Sequence, residues 1–180
     1  MANISASKSQ NLSSNLGGSF TITAFFEETG IQDDSSVIEA KATFSRNSGN
    51  FEVTNAGTMK LFWFDDNLNT SGTELASVVI SSSFTAPHYL TSTIVVPHKE
   101  DGTLSGYAKV TWTKDRNYDY IANSGNVQTD NTALTFIDQG LFRIGVSGAW
   151  KKATAYIGVG GVWKKTKAYI GVGGNWKKGI

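Results

Sequence analysis

The stretch Thr93-Ile94-Val95-Val96-Pro97-His98-Lys99-Glu100-Asp101-Gly102-Thr103 decides the fold class. A β-branched run stops at a proline, which has no amide to give to a sheet ladder. An Asp-Gly pair then makes a tight turn. Ala108-Lys109-Val110-Thr111-Trp112-Thr113 follows, with Ala108, Val110 and Trp112 sharing one side. Strand, corner and half-buried return strand are the grammar of an antiparallel sheet.

The same period-2 pattern recurs upstream in Thr21-Ile22-Thr23-Ala24-Phe25 and in Ile38-Glu39-Ala40-Lys41-Ala42-Thr43-Phe44. Strands are expected at 20–27, 37–45, 51–54, 58–64, 75–84, 90–96, 103–113 and 127–137. Turn clusters separate them, among them Asp33-Asp34, Asn47-Ser48-Gly49-Asn50, Asp65-Asp66-Asn67 and Asn123-Ser124-Gly125-Asn126. No window shows sustained apolar spacing at the helical period. Eight such strands predict an all-β fold, an antiparallel immunoglobulin-like β-sandwich over residues 1–140. The chain has no cysteine, so packing alone must hold the sheets and thiolate zinc sites are excluded.

Residues 141–180 are a different object. Ile144-Gly145-Val146-Ser147-Gly148-Ala149-Trp150-Lys151-Lys152 returns as Ile157-Gly158-Val159-Gly160-Gly161-Val162-Trp163-Lys164-Lys165. It returns again as Ile170-Gly171-Val172-Gly173-Gly174-Asn175-Trp176-Lys177-Lys178. A unit used three times with a 13-residue period is a repeat domain. Each unit reads as a β-hairpin, because Gly-Gly and Ser-Gly permit the positive φ of a two-residue primed turn. Pairing across that turn sets Val159 against Val162 and Gly158 against Trp163, so the indole can cover a glycine. Tyr156 shares the Trp163 face, and Tyr169 holds the same place in the third copy. In the first copy Arg143 stands there. Both faces carry apolar groups, so the hairpins are expected to pack on each other, on the body or on a neighbouring subunit.

Charge divides at the same place. Residues 1–140 hold 8 Lys and Arg against 15 Asp and Glu, a net −7, and residues 141–180 hold 8 Lys and Arg and no acid, a net +8. The overall +1 conceals an acidic body with a basic tail. No apolar run approaches the ~20 residues that span a bilayer, so membrane insertion is not expected. Met1–Gly18 is rich in Ser and Asn and lacks the apolar core of a secretion signal, so synthesis in a cytoplasm is expected.

The side chains that could carry chemistry are few. His88 and His98 are the only histidines, neither in a metal-ligand spacing nor in a recognisable Ser–His–Asp order. His98 is expected to tie the corner through its side chain or to face solvent. The paired acids Glu27-Glu28, Asp33-Asp34 and Asp65-Asp66 read as solvated loop charge. Their oxygens are of the type calcium takes, though without EF-hand spacing. The glycine runs of the tail lack the Lys-Ser/Thr and helix of a phosphate loop. No catalytic residue, metal site or cofactor is therefore expected, and the chain reads as a non-enzyme.

The candidate binding residues lie in the tail: Trp150, Trp163, Trp176, Tyr156 and Tyr169 for a glycan or partner contact, and Lys151, Lys152, Lys164, Lys165, Lys177 and Lys178 for a polyanion or partner. Tryptophan can serve as hairpin packing, with Lys-Lys blocking edge pairing, or as a stacking platform for cell-wall sugar. No nucleic-acid-binding fold signature accompanies the charge, so nucleic acid is not expected.

Two resemblances give these features a setting. Ile94–Thr103, followed by Leu104-Ser105-Gly106-Tyr107-Ala108-Lys109-Val110-Thr111-Trp112, resembles the strand–His–x–x–Asp–Gly–Thr corner of a family of minor structural proteins from tailed phages of Gram-positive bacteria. Ala133-Leu134-Thr135-Phe136-Ile137-Asp138 resembles the last strand of those domains, without the Ile-Pro-Arg type segment that usually follows. The Gly–Trp–Lys units are similar to short C-terminal repeats on phage tail and fibre proteins. The resemblances imply a virion protein of the tail or tail tip that serves assembly and host-surface contact. Its expected partners are other virion proteins, copies of itself and bacterial cell-wall glycan. A capsid decoration or head-fibre protein and a carbohydrate-binding adhesion module are the alternatives.

Overall fold

A computed structural model of the chain describes residues 4–13, 18–48, 57–80, 87–115, 124–137, 142–146, 149–153, 155–166, 169–172 and 175–178. Beyond residue 137, side chains are described for 155–166 alone. The described elements are all strands. They fall into two compact units, residues 1–99 with 103–136, and residues 100–102 with 137–180.

In the first unit, β1 (Ser5–Ser13), β2 (Ser19–Gln32), β3 (Ser35–Ser48) and β6 (His88–Pro97) form one antiparallel sheet in the order β1-β2-β3-β6. The second sheet runs β5-β4-β7-β8, from β4 (Gly57–Asp65), β5 (Thr73–Ile80), β7 (Ser105–Lys114) and β8 (Gly125–Gln128). The two-residue β9 (Thr132–Ala133) also pairs with β7. The chain changes sheet between β3 and β4, between β5 and β6, and between β6 and β7.

Alternation puts one face of each sheet inside. Ile22, Ala24 and Phe26 from β2, Ile38, Ala40, Ala42 and Phe44 from β3, Met59, Leu61 and Trp63 from β4, and Ala108, Val110 and Trp112 from β7 make one buried cluster. Aromatic pairs bridge the layers. Phe26 meets Trp63 edge-on at 5.2 Å between centroids, and Phe44 meets Trp112 at 4.5 Å. Deleting one such ring costs about 3–5 kcal/mol, so these pairs hold the sandwich without a disulfide. Gly106 makes room for the Trp63 indole, because a Cβ there would stand 2.3 Å from Trp63 Cζ2.

The expected strands at 20–27, 37–45, 58–64, 90–96 and 103–113 lie within β2, β3, β4, β6 and β7 or overlap them closely. The expected strand 51–54 lies outside the described residues, as does the end of 75–84. Two expectations need correction. The Ser/Asn-rich N-terminus forms β1, an edge strand paired with β2 from Ser5↔Glu27 to Ser13↔Ser19. Only Leu12 of its residues is buried, so its main-chain ladder, not an apolar face, holds it. The single strand expected at 127–137 is two short pieces, β8 and β9. Between them Thr129 turns inward, receiving Ala108 N–H at its Oγ1 (3.2 Å) and donating its own N–H to Ala108 O (3.0 Å).

The second unit contains three hairpins, each its own two-stranded sheet: β10 (Phe142–Val146) with β11 (Ala149–Ala153), β12 (Ala155–Val159) with β13 (Val162–Thr166), and β14 (Tyr169–Val172) with β15 (Asn175–Lys178). The turn between β12 and β13 has φ of 61° at Gly160 and 77° at Gly161, both in the left-handed region that a primed turn demands.

Candidate functional site

Polar residues gather at one end of the sandwich, where β2, β4 and β6 finish and β3 and β7 begin. Each continues the core phase of its strand by one step. Glu28 follows Phe26, Asp65 follows Trp63, His98 follows Val96, and Ser36 precedes Ile38. All four are buried. This corrects the reading of Glu28 and Asp65 as solvated loop charge. An acid in phase with the core faces inward and must find donors there.

Glu28, Ser36 and His98 form the first cluster. The Ser36 hydroxyl donates to Glu28 Oε1 at 2.5 Å and lies 2.7 Å from His98 Nε2. Glu28 Oε2 accepts the Thr135 amide at 3.1 Å and the Thr135 hydroxyl at 2.5 Å. The backbone of His98 donates to Asp34 O at 3.0 Å. Of the two expectations for His98, this is the side-chain tie. A serine has one hydroxyl proton. Here it goes to the carboxylate, and the role of the imidazole nitrogen at Ser36 Oγ follows the ring's tautomer. Ser36 is 0% exposed. The cluster ties β2, β3, the β6–β7 corner and the segment at Thr135 together.

The second cluster is built on Asp65. Its Oδ1 accepts the amides of Asn67, Leu68 and Asn69 at 3.0, 2.9 and 3.1 Å. Its Oδ2 accepts Trp63 Nε1 at 3.0 Å and Asn69 Nδ2 at 2.5 Å. Asn67 Nδ2 reaches Pro97 O at 3.0 Å and so joins this loop to the end of β6. Asp66 faces outward. Lys99 Nζ lies 2.7 Å from its Oδ2, and the Ser105 amide donates to its Oδ1 at 3.0 Å. Burial pushes the Asp66 carboxyl up, but the hydrogen bond and charge of Lys99 and the backbone amides outweigh it and hold the group below its ordinary 3.8. Among the described residues no buried side-chain polar atom lacks a partner, and no group of three or more His, Asp or Glu is arranged to hold a metal ion.

The tail presents the opposite situation. In the second hairpin Gly158 stands opposite Trp163, Val159 opposite Val162, Tyr156 opposite Lys165 and Ile157 opposite Lys164. Tyr156, Gly158, Trp163 and Lys165 therefore share one face, and Ile157, Val159, Val162 and Lys164 the other. A Cβ on Gly158 would lie 3.8 Å from Trp163 Cζ3, so the indole rests over the glycine. Trp163 is nonetheless 75% exposed and Tyr156 57%. Ile157, Val159 and Val162 are 52%, 49% and 60% exposed, and Lys164 and Lys165 are exposed as well.

In the flanking hairpins the backbone sets Trp150 opposite Gly145 and Trp176 opposite Gly171. It sets Tyr169 opposite Lys178, Lys177 opposite Ile170, Lys151 opposite Ile144 and Lys152 opposite Arg143. The side chains of these two hairpins lie outside the described residues. An indole with an open face beside a phenol and lysines can stack on a sugar ring or dock on a partner, and the ammonium groups favour anions. No protein-family model matches the chain, and no match is found among curated proteins or solved structures.

Proposed function

We propose that the chain is a non-enzymatic structural protein of a phage virion, in the tail or tail tip, and that its basic hairpins make its contacts. On this reading the body is an immunoglobulin-like assembly module. The crossing of β3 to β4 and β6 to β7, with β3 beside β6 and β4 beside β7, supports it. The observation that carries the proposal is the second hairpin. It exposes Trp163, Tyr156, Ile157, Val159 and Val162 on two faces of one small sheet. Large apolar side chains left open together mark an interaction surface. The buried clusters at the end of the sandwich fit a part under mechanical load, since each uses its polar groups to tie strands and loops.

The test is retention on purified Gram-positive cell walls, full-length chain against a Trp150→Ala/Trp163→Ala/Trp176→Ala variant whose melting is checked first. Tryptophan-dependent retention supports host-surface contact. Self-assembly without retention supports a purely structural virion part. A monomer that neither binds nor assembles overturns the proposal. The exposed indole of Trp163 favours one second reading, a carbohydrate-binding adhesion module. In that case a soluble wall saccharide competes the chain off the wall.

A further inference from the structure

The side-chain chemistry of the tail narrows what its hairpins can hold. Over Ala155–Thr166, the second hairpin, the polar side chains are Tyr156, Lys164, Lys165 and Thr166, with no carboxylate and no amide among them. Residues 141–180 as a whole have no Asp, Glu or Gln, and Asn175 is their one side-chain amide. An ammonium group donates and cannot accept. A neutral sugar offers hydroxyls that both give and take, so its recognition needs acceptors as well as donors. A phosphodiester only accepts. The tail is stocked for an anion and not for a neutral glycan.

The kind of cation separates a polyanion from a protein partner. Of the eight basic residues in 141–180, seven are lysine and Arg143 is the other. Protein interfaces are enriched in Arg and depleted in Lys, whose ammonium is strongly hydrated. A polyanion lets the ammonium groups stay wet and gains from release of its own counterions. Lys164 and Lys165 are exposed and lie on the two faces of β13, across from Ile157 and Tyr156 respectively. Positive charge therefore borders both faces, and Lys165 shares its face with Trp163, which is 75% exposed.

The protein's own acidic body is a weaker complement than its net −7 implies. Asp66, Glu74, Glu39 and Asp130 each have a lysine within 3.2 Å, and Glu28 and Asp65 are buried.

We propose that the Trp-Lys-Lys hairpins bind a linear polyol-phosphate polymer of the bacterial wall. The lysines follow its phosphates, and C–H groups of the polyol rest on the open face of the indole. Trp-Lys-Lys stands at 150–152, 163–165 and 176–178. Three copies offered to one repeating polymer make a weak single contact firm through effective concentration. The proposal rests on the host-surface reading above, which supplies the source of the polymer, and it names the wall component.

The experiment compares retention of the full chain on intact Gram-positive walls and on the same walls after hydrofluoric acid has removed their phosphodiesters. Calorimetry with soluble polyglycerol phosphate gives the affinity. Two variants accompany wild type, one with Lys151, Lys152, Lys164, Lys165, Lys177 and Lys178 all changed to Gln and one with the same six changed to Arg. Wild-type affinity should fall about tenfold or more between about 50 and 200 mM salt, as counterion release requires. Stripped walls should retain less than about a tenth of what intact walls retain, and the Gln variant should bind about tenfold or more weakly. The Arg variant, which keeps every charge, should stay within about threefold of wild type. Equal retention on stripped walls, salt-independent binding or a Gln variant that binds like wild type overturns the proposal and leaves wall contact standing. Absence of retention on intact walls removes the host-surface reading itself, and the proposal with it. Tighter binding to single-stranded nucleic acid than to polyglycerol phosphate at the same salt also overturns it, as does self-association that the polymer does not disperse, which would make the acidic body the occupant.

Discussion

Replacing Asp65 with alanine removes five hydrogen bonds at one stroke. The Trp63 indole N–H is left inside the core, since Trp63 is 0% exposed and its one partner there is Asp65 Oδ2 at 3.0 Å. An unpaired buried donor costs about 1–3 kcal/mol. The amides of Asn67, Leu68 and Asn69 and the Asn69 side chain are only part-buried. Water can replace the carboxylate for those four, at a net loss of about 0.5 kcal/mol each. The sum is about 3–5 kcal/mol, a large share of the ~5–15 kcal/mol that holds a domain together. For a chain of this size each kcal/mol lowers the midpoint by about 2–4 °C, so Asp65→Ala should melt roughly 6–20 °C below wild type. Calorimetry and tryptophan fluorescence read the same transition. A double-mutant cycle isolates the indole. In a Trp63→Phe background the donor is gone, and Asp65→Ala should cost less by its share of about 1–3 kcal/mol. A fall of less than about 3 °C, or an equal cost in both backgrounds, would refute the account of Asp65 as the anchor of the β4–β5 loop.

Other consequences can be checked on the same apparatus. Ser36→Ala leaves Glu28 and His98 without the hydroxyl that joins them and should destabilise the body by about 2–4 kcal/mol in urea unfolding, whereas an unchanged midpoint would mean that the buried cluster binds nothing together. Gly106→Ala drives a methyl to 2.3 Å from Trp63 Cζ2 and should cost about 1–3 kcal/mol. Gly158→Ala meets Trp163 no closer than 3.8 Å and should leave the melt of the body untouched. The Asp66 carboxyl is held low, so its contribution is full above the unfolded value of about 3.9. That contribution fades as pH falls through the lower folded value. The urea midpoints of wild type and Asp66→Asn should therefore differ near neutrality and converge in acid. The Lys99–Asp66 side chains are 35% and 40% exposed, which limits the gap to about 0.5 kcal/mol.

Local pattern by itself determined much of this protein. Alternation in Thr21–Phe25, Ile38–Phe44 and Ala108–Thr113 named the buried face of β2, β3 and β7, because a strand's side chains change side at every residue. Gly160-Gly161 determined the hairpin register down to Gly158 opposite Trp163, because a two-residue primed turn leaves no other pairing. Charge counting separated an acidic body from a basic tail. The polar interior was half legible. Glu28, Ser36, Asp65 and His98 each keep the phase of the apolar residues beside them, and that phase marks them as inward-facing. What the sequence cannot supply is the reason such a residue is tolerated there, because the partners are remote: 62 residues separate Ser36 from His98, and 107 separate Glu28 from Thr135. Only the tertiary structure brings those donors to the carboxylate. It alone also decides β1, whose polar side chains carry no period and whose place depends on amides of β2 waiting at a sheet edge.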